Sequence, residues 1–162
     1  MEIKPVKRSK YIIRLSKDHH FTLLFCWKIR TGLKFNIESE RIKNYVQYFW
    51  QKHMYPHFIE EETILFVLPT DEMIQKAVRE HKQIAEQVDI ILTSTKNAPD
   101  LFVKLANDTE QHVRYEERQL FPHLEATLTV ETLEKIERQL SEKYHPAATD
   151  DYSDEFWIKP KQ

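Results

Sequence analysis

Hydrophobic residues recur along the chain at the three- and four-residue spacing of amphipathic helices, in five successive segments. The segments cover about residues 9–31, 38–68, 71–93, 99–128 and 130–144. Tight hairpin turns usually need glycine, and its scarcity here favours long helices joined by few loops. The pattern therefore predicts helices throughout, four of them long and one short.

Residues that commonly begin or end helices mark the boundaries between these segments. Gly32 is the only glycine and predicts the end of the first segment, while Pro69 predicts the end of the second. Thr70 and Thr129 are suited to cap the third and fifth segments, and Pro99 suits the first turn of the fourth.

Four long segments joined by short links predict an all-α, up-down antiparallel four-helix bundle with a short fifth helix. We assign residues 1–145 to this bundle and residues 146–162 to a C-terminal tail. Phe156 and Trp157 are an aromatic pair in that tail that we expect to dock on the bundle. Pro56 lies inside the second segment, where a proline deletes a backbone hydrogen bond and predicts a kink.

Composition narrows the class of protein. The 162 residues carry a net charge of −2, so there is no basic footprint for nucleic acid. Residues 21–27 are the longest uncharged apolar run near the N-terminus and are too few to cross a membrane. No secretory signal pattern is present, and the lone Cys26 excludes an internal disulfide and a cysteine-based zinc site. These features predict a cytoplasmic protein.

Two stretches share the pattern His-x-x-x-Glu-Glu-x-x-Leu-Phe. Residues 57–66 read HFIEEETILF, and residues 112–121 read HVRYEERQLF. Because residues four apart lie on one helix face, about 6 Å from each other, each stretch presents one imidazole and one carboxylate together. One such pair is common on protein surfaces, but two copies with the same continuation indicate a shared site.

The rise of a helix, about 1.5 Å per residue, places the two repeats and His81 at similar levels of an antiparallel bundle. The first segment offers His19 or His20 as a further ligand. We favour His20, because Ile13, Leu23 and Trp27 would share its inward face. The candidate metal-binding residues are His20, His57, Glu61, His81, His112 and Glu116.

Imidazole and carboxylate ligands together suit iron, zinc or manganese. Six ligands exceed the needs of one tetrahedral zinc and fit two metal ions about 3.5–4 Å apart, bridged by Glu61 and Glu116. An oxo or hydroxo bridge would help to offset the charge of two divalent ions. Ferritin-like sites instead use Glu-x-x-His, so the residue order here favours a histidine-rich class.

The constellation H…HxxxE…H…HxxxE resembles that of the hemerythrin-like, or HHE cation-binding, family over about residues 10–145. The resemblance implies a non-haem di-iron centre that binds dioxygen or nitric oxide, as a carrier or a sensor. The oxygen-carrying members have five histidines and two carboxylates. His53, His19 or water are the alternatives for the fifth histidine position in this chain.

Two other functions remain open at this point. One is a di-iron enzyme, or an iron donor, in peroxide chemistry or in the repair of iron–sulfur clusters. The other is an interaction module whose metal is structural. The predicted partners are dioxygen or nitric oxide, with no nucleic acid and no membrane.

Overall fold

The computed structural model describes residues 8–143 and 150–160. Within these ranges every regular element is helical, and there is no β-strand. The α-helices are α1 (Ile13–Lys34), α2 (Ser39–Phe49), α3 (Tyr55–Glu60), α4 (Glu72–Thr93), α5 (Pro99–Tyr115), α6 (Phe121–Thr127) and α7 (Val130–Glu142). Three π-helical turns interrupt the chain's helices, at Trp50–Met54, Glu61–Leu65 and Glu116–Leu120.

The π-helical turns join α-helices into longer segments. Residues 39–65 and 99–127 are each helical without a break. Helix α1 packs along α5, and α4 packs against both α5 and α2. The all-α prediction is confirmed, and the packing is that of a helical bundle. None of the helices in the described ranges has the length and apolar character needed to cross a membrane.

Each of the three π-helical turns is followed by a proline, begins at a candidate ligand glutamate, or both. Pro56 follows the first turn, and Pro122 follows the third, each as the second residue of its α-helix. The wider π turn leaves room for the proline ring, which would otherwise press on the carbonyl four residues earlier. Glu61 and Glu116 are the first residues of the second and third π turns, and in the second turn the backbone N–H of Phe66 donates to the Glu61 carbonyl at 2.8 Å.

The hydrophobic core consists of two separate clusters. One gathers around Phe25, Tyr45 and Phe49, and the other around Leu15 and Leu120. Along α1, α4 and α5 the clusters are separated by one layer of buried polar side chains. That layer contains the histidines and glutamates of the candidate site.

Some predicted boundaries were wrong. Helix α1 does not end at Gly32 but continues to Lys34, and Asn36, with φ 53°, adopts the left-handed conformation after it. Gly32 is instead a packing position, because a Cβ there would lie 2.8 Å from the ring of Phe156. Asp71, not Thr70, caps α4 by accepting hydrogen bonds from two backbone N–H groups. The predicted cap of α7 by Thr129 is confirmed.

The described part of the C-terminal tail docks on the bundle as expected. Phe156 is fully buried, and Trp157 packs beside it. Asp150 pairs with the buried ammonium of Lys28 at 2.7 Å, and Lys28 also lies over the ring of Trp157. The predicted boundary between residues 145 and 146 lies outside the described residues.

Gly32→Ala tests the close approach between α1 and the tail. In the wild-type background the new methyl group meets Phe156, so we expect a loss of about 1–3 kcal/mol in the free energy of unfolding from overpacking. In a Phe156→Ala background the ring is absent and the closest remaining neighbour is Ile42 Cδ1 at 3.2 Å, so the same change should cost clearly less, with the helix propensity of alanine offsetting up to about 1 kcal/mol. Urea unfolding of the four proteins measures both effects. A destabilisation of equal size in both backgrounds would contradict this packing account.

Candidate metal centre

The polar layer between the two hydrophobic clusters contains two groups of side chains whose ligand atoms lie within 4.8 Å of one another. The first group is Glu61, His81, His112 and Glu116. The second group is His19, His57 and Glu61. Glu61 belongs to both groups, so the arrangement suits two neighbouring ions that share one carboxylate.

The first group converges on the two glutamates. His112 Nε2 is in contact with Glu116 Oε1, four residues later on the same helical segment. His81 Nε2, on α4, lies 3.5 Å from Glu61 Oε1 and 3.6 Å from Glu116 Oε1. Three helical segments thus aim nitrogen and oxygen atoms at one point.

The second group brings α1 to the same layer. His57 Nε2 lies 2.8 Å from Glu61 Oε1 and 3.1 Å from His19 Nε2. The Nδ1 atoms of His19 and His57 both face carboxylates, so these are the nitrogens that carry protons. The two Nε2 atoms point toward the same space, where both could ligate one cation once that space is free of protons.

Six of the buried polar atoms that point into this layer make no hydrogen bond of good geometry within the described residues. Both carboxylate oxygens of Glu61 and of Glu116, and the Nε2 atoms of His81 and His112, are unsatisfied within the described part of the chain. Both glutamates are completely buried. Because a buried carboxylate without compensation is very costly, this donor set fits a bound cation.

The outer nitrogen of every histidine in the layer faces a carboxylate. The Nδ1···O distances lie between 2.7 and 3.0 Å. The pairs are His19 with Glu117, His57 with Asp18, His81 with Glu62, and His112 with Glu80. Histidines that bind metals ordinarily donate their second ring N–H in this way, which leaves Nε2 free for the ion.

In the absence of a metal ion, the buried histidines and glutamates of the layer shift each other's pKa values in opposite directions. Burial lowers the pKa of His57, but the carboxylates of Glu61 and Asp18 outweigh burial and raise that pKa to about 10. Burial would raise the pKa of Glu116, yet His112 and the other neighbours hold it well below its ordinary value. Protons on the imidazoles therefore occupy the space of the cation, and metal binding has to release them.

Five of the six predicted ligands lie together in this layer, and the sixth does not. His20 is exposed, whereas His19 is 3% exposed and contacts His57. Trp27, one of the residues expected to share an inward face with His20, is 52% exposed. The buried face of α1 follows Leu15, His19 and Cys26 instead.

Glu62 and Glu117 are expected from their positions to be solvated or to support the ligands, whereas no role was predicted for Asp18 and Glu80. Asp18 and Glu80 directly precede His19 and His81, and that acid–histidine adjacency was an available signal. His53, an alternative for a fifth histidine, belongs to neither ligand group. Its ring packs on Phe49, and burial lowers its pKa.

An all-helical protein with a buried histidine–glutamate cluster of this kind belongs to the class of helical metal-binding proteins. The family model for the hemerythrin HHE cation-binding domain matches residues 14–124. The chain therefore belongs to the hemerythrin HHE cation-binding family. The comparisons with curated proteins and with solved structures returned no significant match.

The placement of His19 and His20 generates a direct test. His19→Ala removes a buried nitrogen of the second group, so we expect a clear loss of bound metal. His20→Ala alters an exposed side chain on the same helix and should leave the metal content at the wild-type value. Metal analysis of both purified variants checks this. A larger loss in His20→Ala would mean that α1 is rotated from the position described.

Proposed function

We propose that this protein binds two iron ions at the histidine–glutamate layer and uses them to bind dioxygen or nitric oxide, as a carrier or a sensor. The observation that carries the proposal is the set of buried, unsatisfied ligand atoms in two groups that share Glu61. The family's cation-binding character agrees with it. We also propose that the four long helical segments form an up-down bundle and that the protein works in the cytoplasm.

The two ligand groups that share Glu61 support two ions rather than one, and the charge of the layer allows two if a bridging anion is present. Glu61 and Glu116 bring two negative charges into a layer that excludes water, and neutral imidazoles add none. Two divalent ions bring four positive charges, which the glutamates and a small bridging anion would largely offset. A mixed set of imidazole and carboxylate ligands suits iron, which would supply a redox-active position for a diatomic gas.

The number of protein ligands differs between the two groups. The first group offers four residues, but the second offers only His19, His57 and the shared Glu61. An ion in the second group would have fewer protein ligands, which favours the binding of an outside molecule on that side. Among the described residues no fifth histidine belongs to either ligand group, which increases this difference.

The surroundings favour a small uncharged ligand. The six clustered side chains are each at most 5% exposed. Phe58 stacks on His81 with ring centroids 3.9 Å apart, and Phe121 stacks on His19 at 5.3 Å. A large polar substrate would have to open the core to reach these atoms, whereas a diatomic gas would not. This observation ranks gas binding above an enzyme that acts on large substrates.

A structural metal is the second candidate, and the position of the layer favours it. The layer lies between two hydrophobic clusters and connects all four long helical segments, so an ion there would also stabilise the fold. Peroxide turnover and iron donation in repair remain the further alternatives, and activity of the iron-loaded protein would reveal either.

The proposal is tested by metal analysis of protein purified without chelator, with absorption spectra before and after exposure to dioxygen and to nitric oxide. We expect two irons per chain and bands that appear with the gas. Glu61→Ala should lose both ions, because both groups share that residue. His19→Ala is the matched variant and should lose one.

The other results separate the candidates. One or two zinc ions, with spectra that do not respond to either gas, would replace gas binding by a structural role. A metal-free protein that stays fully folded would contradict both candidates.

A further inference from the structure

The outer carboxylates do more than satisfy individual histidines, because each one lies on a different helical segment from its partner. Asp18 on α1 reaches His57 on α3. Glu62, in the π turn after α3, reaches His81 on α4. Each contact therefore ties one segment to the next in chain order.

The remaining two contacts close the series. Glu80 on α4 reaches His112 on α5. Glu117, in the π turn after α5, returns to His19 on α1 at 2.7 Å. The four long segments are thus linked into a ring, in which each supplies one ligand histidine and one carboxylate for the histidine of the next segment.

Helix geometry explains why adjacent residues serve the two roles. Successive helical residues point about 100° apart. When Glu61 or Glu116 points into the layer, the next residue points sideways toward a neighbouring helix. The same holds for the acids before His19 and His81.

The ring also accounts for the end of the repeated sequence. In the first repeat, Glu62 bonds His81 and Phe66 stacks on the same imidazole, with centroids 5.9 Å apart. In the second repeat, Glu117 bonds His19 and Phe121 stacks on it at 5.3 Å. Each repeat therefore contributes two ligands of its own and holds a third that belongs to another helix.

We propose that Asp18, Glu62, Glu80 and Glu117 are positioning residues, each fixing the metal-binding histidine of the next helical segment. This inference rests on the proposed function, because it requires that the layer holds metal. A carboxylate that accepts the Nδ1 proton orients the ring and leaves the Nε2 lone pair toward the ion. Loss of such a partner commonly weakens metal affinity about 10–100-fold.

Glu117 is the best residue at which to test this ring of contacts, because Ser16 and Arg8 also hold its carboxylate in place. Ser16 donates its hydroxyl to Glu117 Oε1 at 2.7 Å, and the Arg8 guanidinium donates to Oε2 at 3.0 Å. Glu125 is a matched control. Glu125 accepts from the same Arg8 and from the Ser9 N–H, but none of its described hydrogen bonds reaches a histidine.

The experiment is a titration of metal-free protein with Zn²⁺ alone, followed by nitrogen-15 NMR of the histidine rings in the loaded protein. Glu117→Ala should weaken Zn²⁺ binding by about 10–100-fold. Glu117→Gln keeps an oxygen that accepts from Nδ1–H and should recover most of that loss. Glu125→Ala should bind like wild type. In Glu117→Ala the Nδ1–H signal of His19 should be lost or shifted, whereas the Nδ1–H signals of His57, His81 and His112 should be unchanged.

The outcomes distinguish this inference from the function on which it rests. Failure of the wild-type protein to bind Zn²⁺ or iron would overturn both. Wild-type binding with equal affinities for Glu117→Ala and Glu125→Ala would overturn only the positioning role. Glu62→Ala gives a second, independent measurement at a more exposed carboxylate, should Glu117→Ala fail to fold. Unchanged Zn²⁺ affinity in Glu62→Ala would equally contradict the ring.

Discussion

The structure depends on the cost of burying two carboxylates. Glu61 and Glu116 are fully removed from solvent, and their oxygens make no hydrogen bond of good geometry within the described chain. A carboxylate in this situation either takes up a proton or requires positive charge close by. The surrounding histidines supply that charge when they are protonated, and a metal ion supplies it when they are not. Among the described residues a hydrophobic cluster lies on each side of this layer, and the layer's ligand side chains are buried from solvent.

The polar layer also connects the helices to one another. Each long helical segment gives an inner ligand and an outer carboxylate, so the polar groups that would weaken a bundle core instead cross-link it. The π turns that begin at Glu61 and Glu116 fit this role, since a wider turn changes the direction in which the following side chains point. Glu62 and Glu117 follow these residues and reach different neighbouring helices. The duplicated sequence therefore has the same role in two helical segments: it supplies a histidine–glutamate pair and a carboxylate that contacts a histidine on another helix.

Sequence reasoning succeeded where the information is local. The four-residue spacing of His57 with Glu61 and of His112 with Glu116 fixed their common direction, and hydrophobic periodicity was sufficient for the all-α class. The predictions were wrong where contacts between residues distant in sequence determine the structure. The predicted rotation of α1 is wrong because a large apolar side chain, Trp27, lies mostly in solvent. The predicted helix end at Gly32 is wrong because that glycine is a packing position against the ring of Phe156, which is distant in sequence. The outer carboxylates are also contacts between distant residues.

The most direct test of the account is a crystal structure of the iron-loaded protein with anomalous scattering recorded at the iron absorption edge. We predict two iron peaks on either side of Glu61, bound through the Nε2 atoms of His19, His57, His81 and His112. The Nδ1 atoms of these four rings should still face Glu117, Asp18, Glu62 and Glu80. A single peak, or ligation that uses His20 in place of His19, would contradict the central claim that this layer is a two-ion centre.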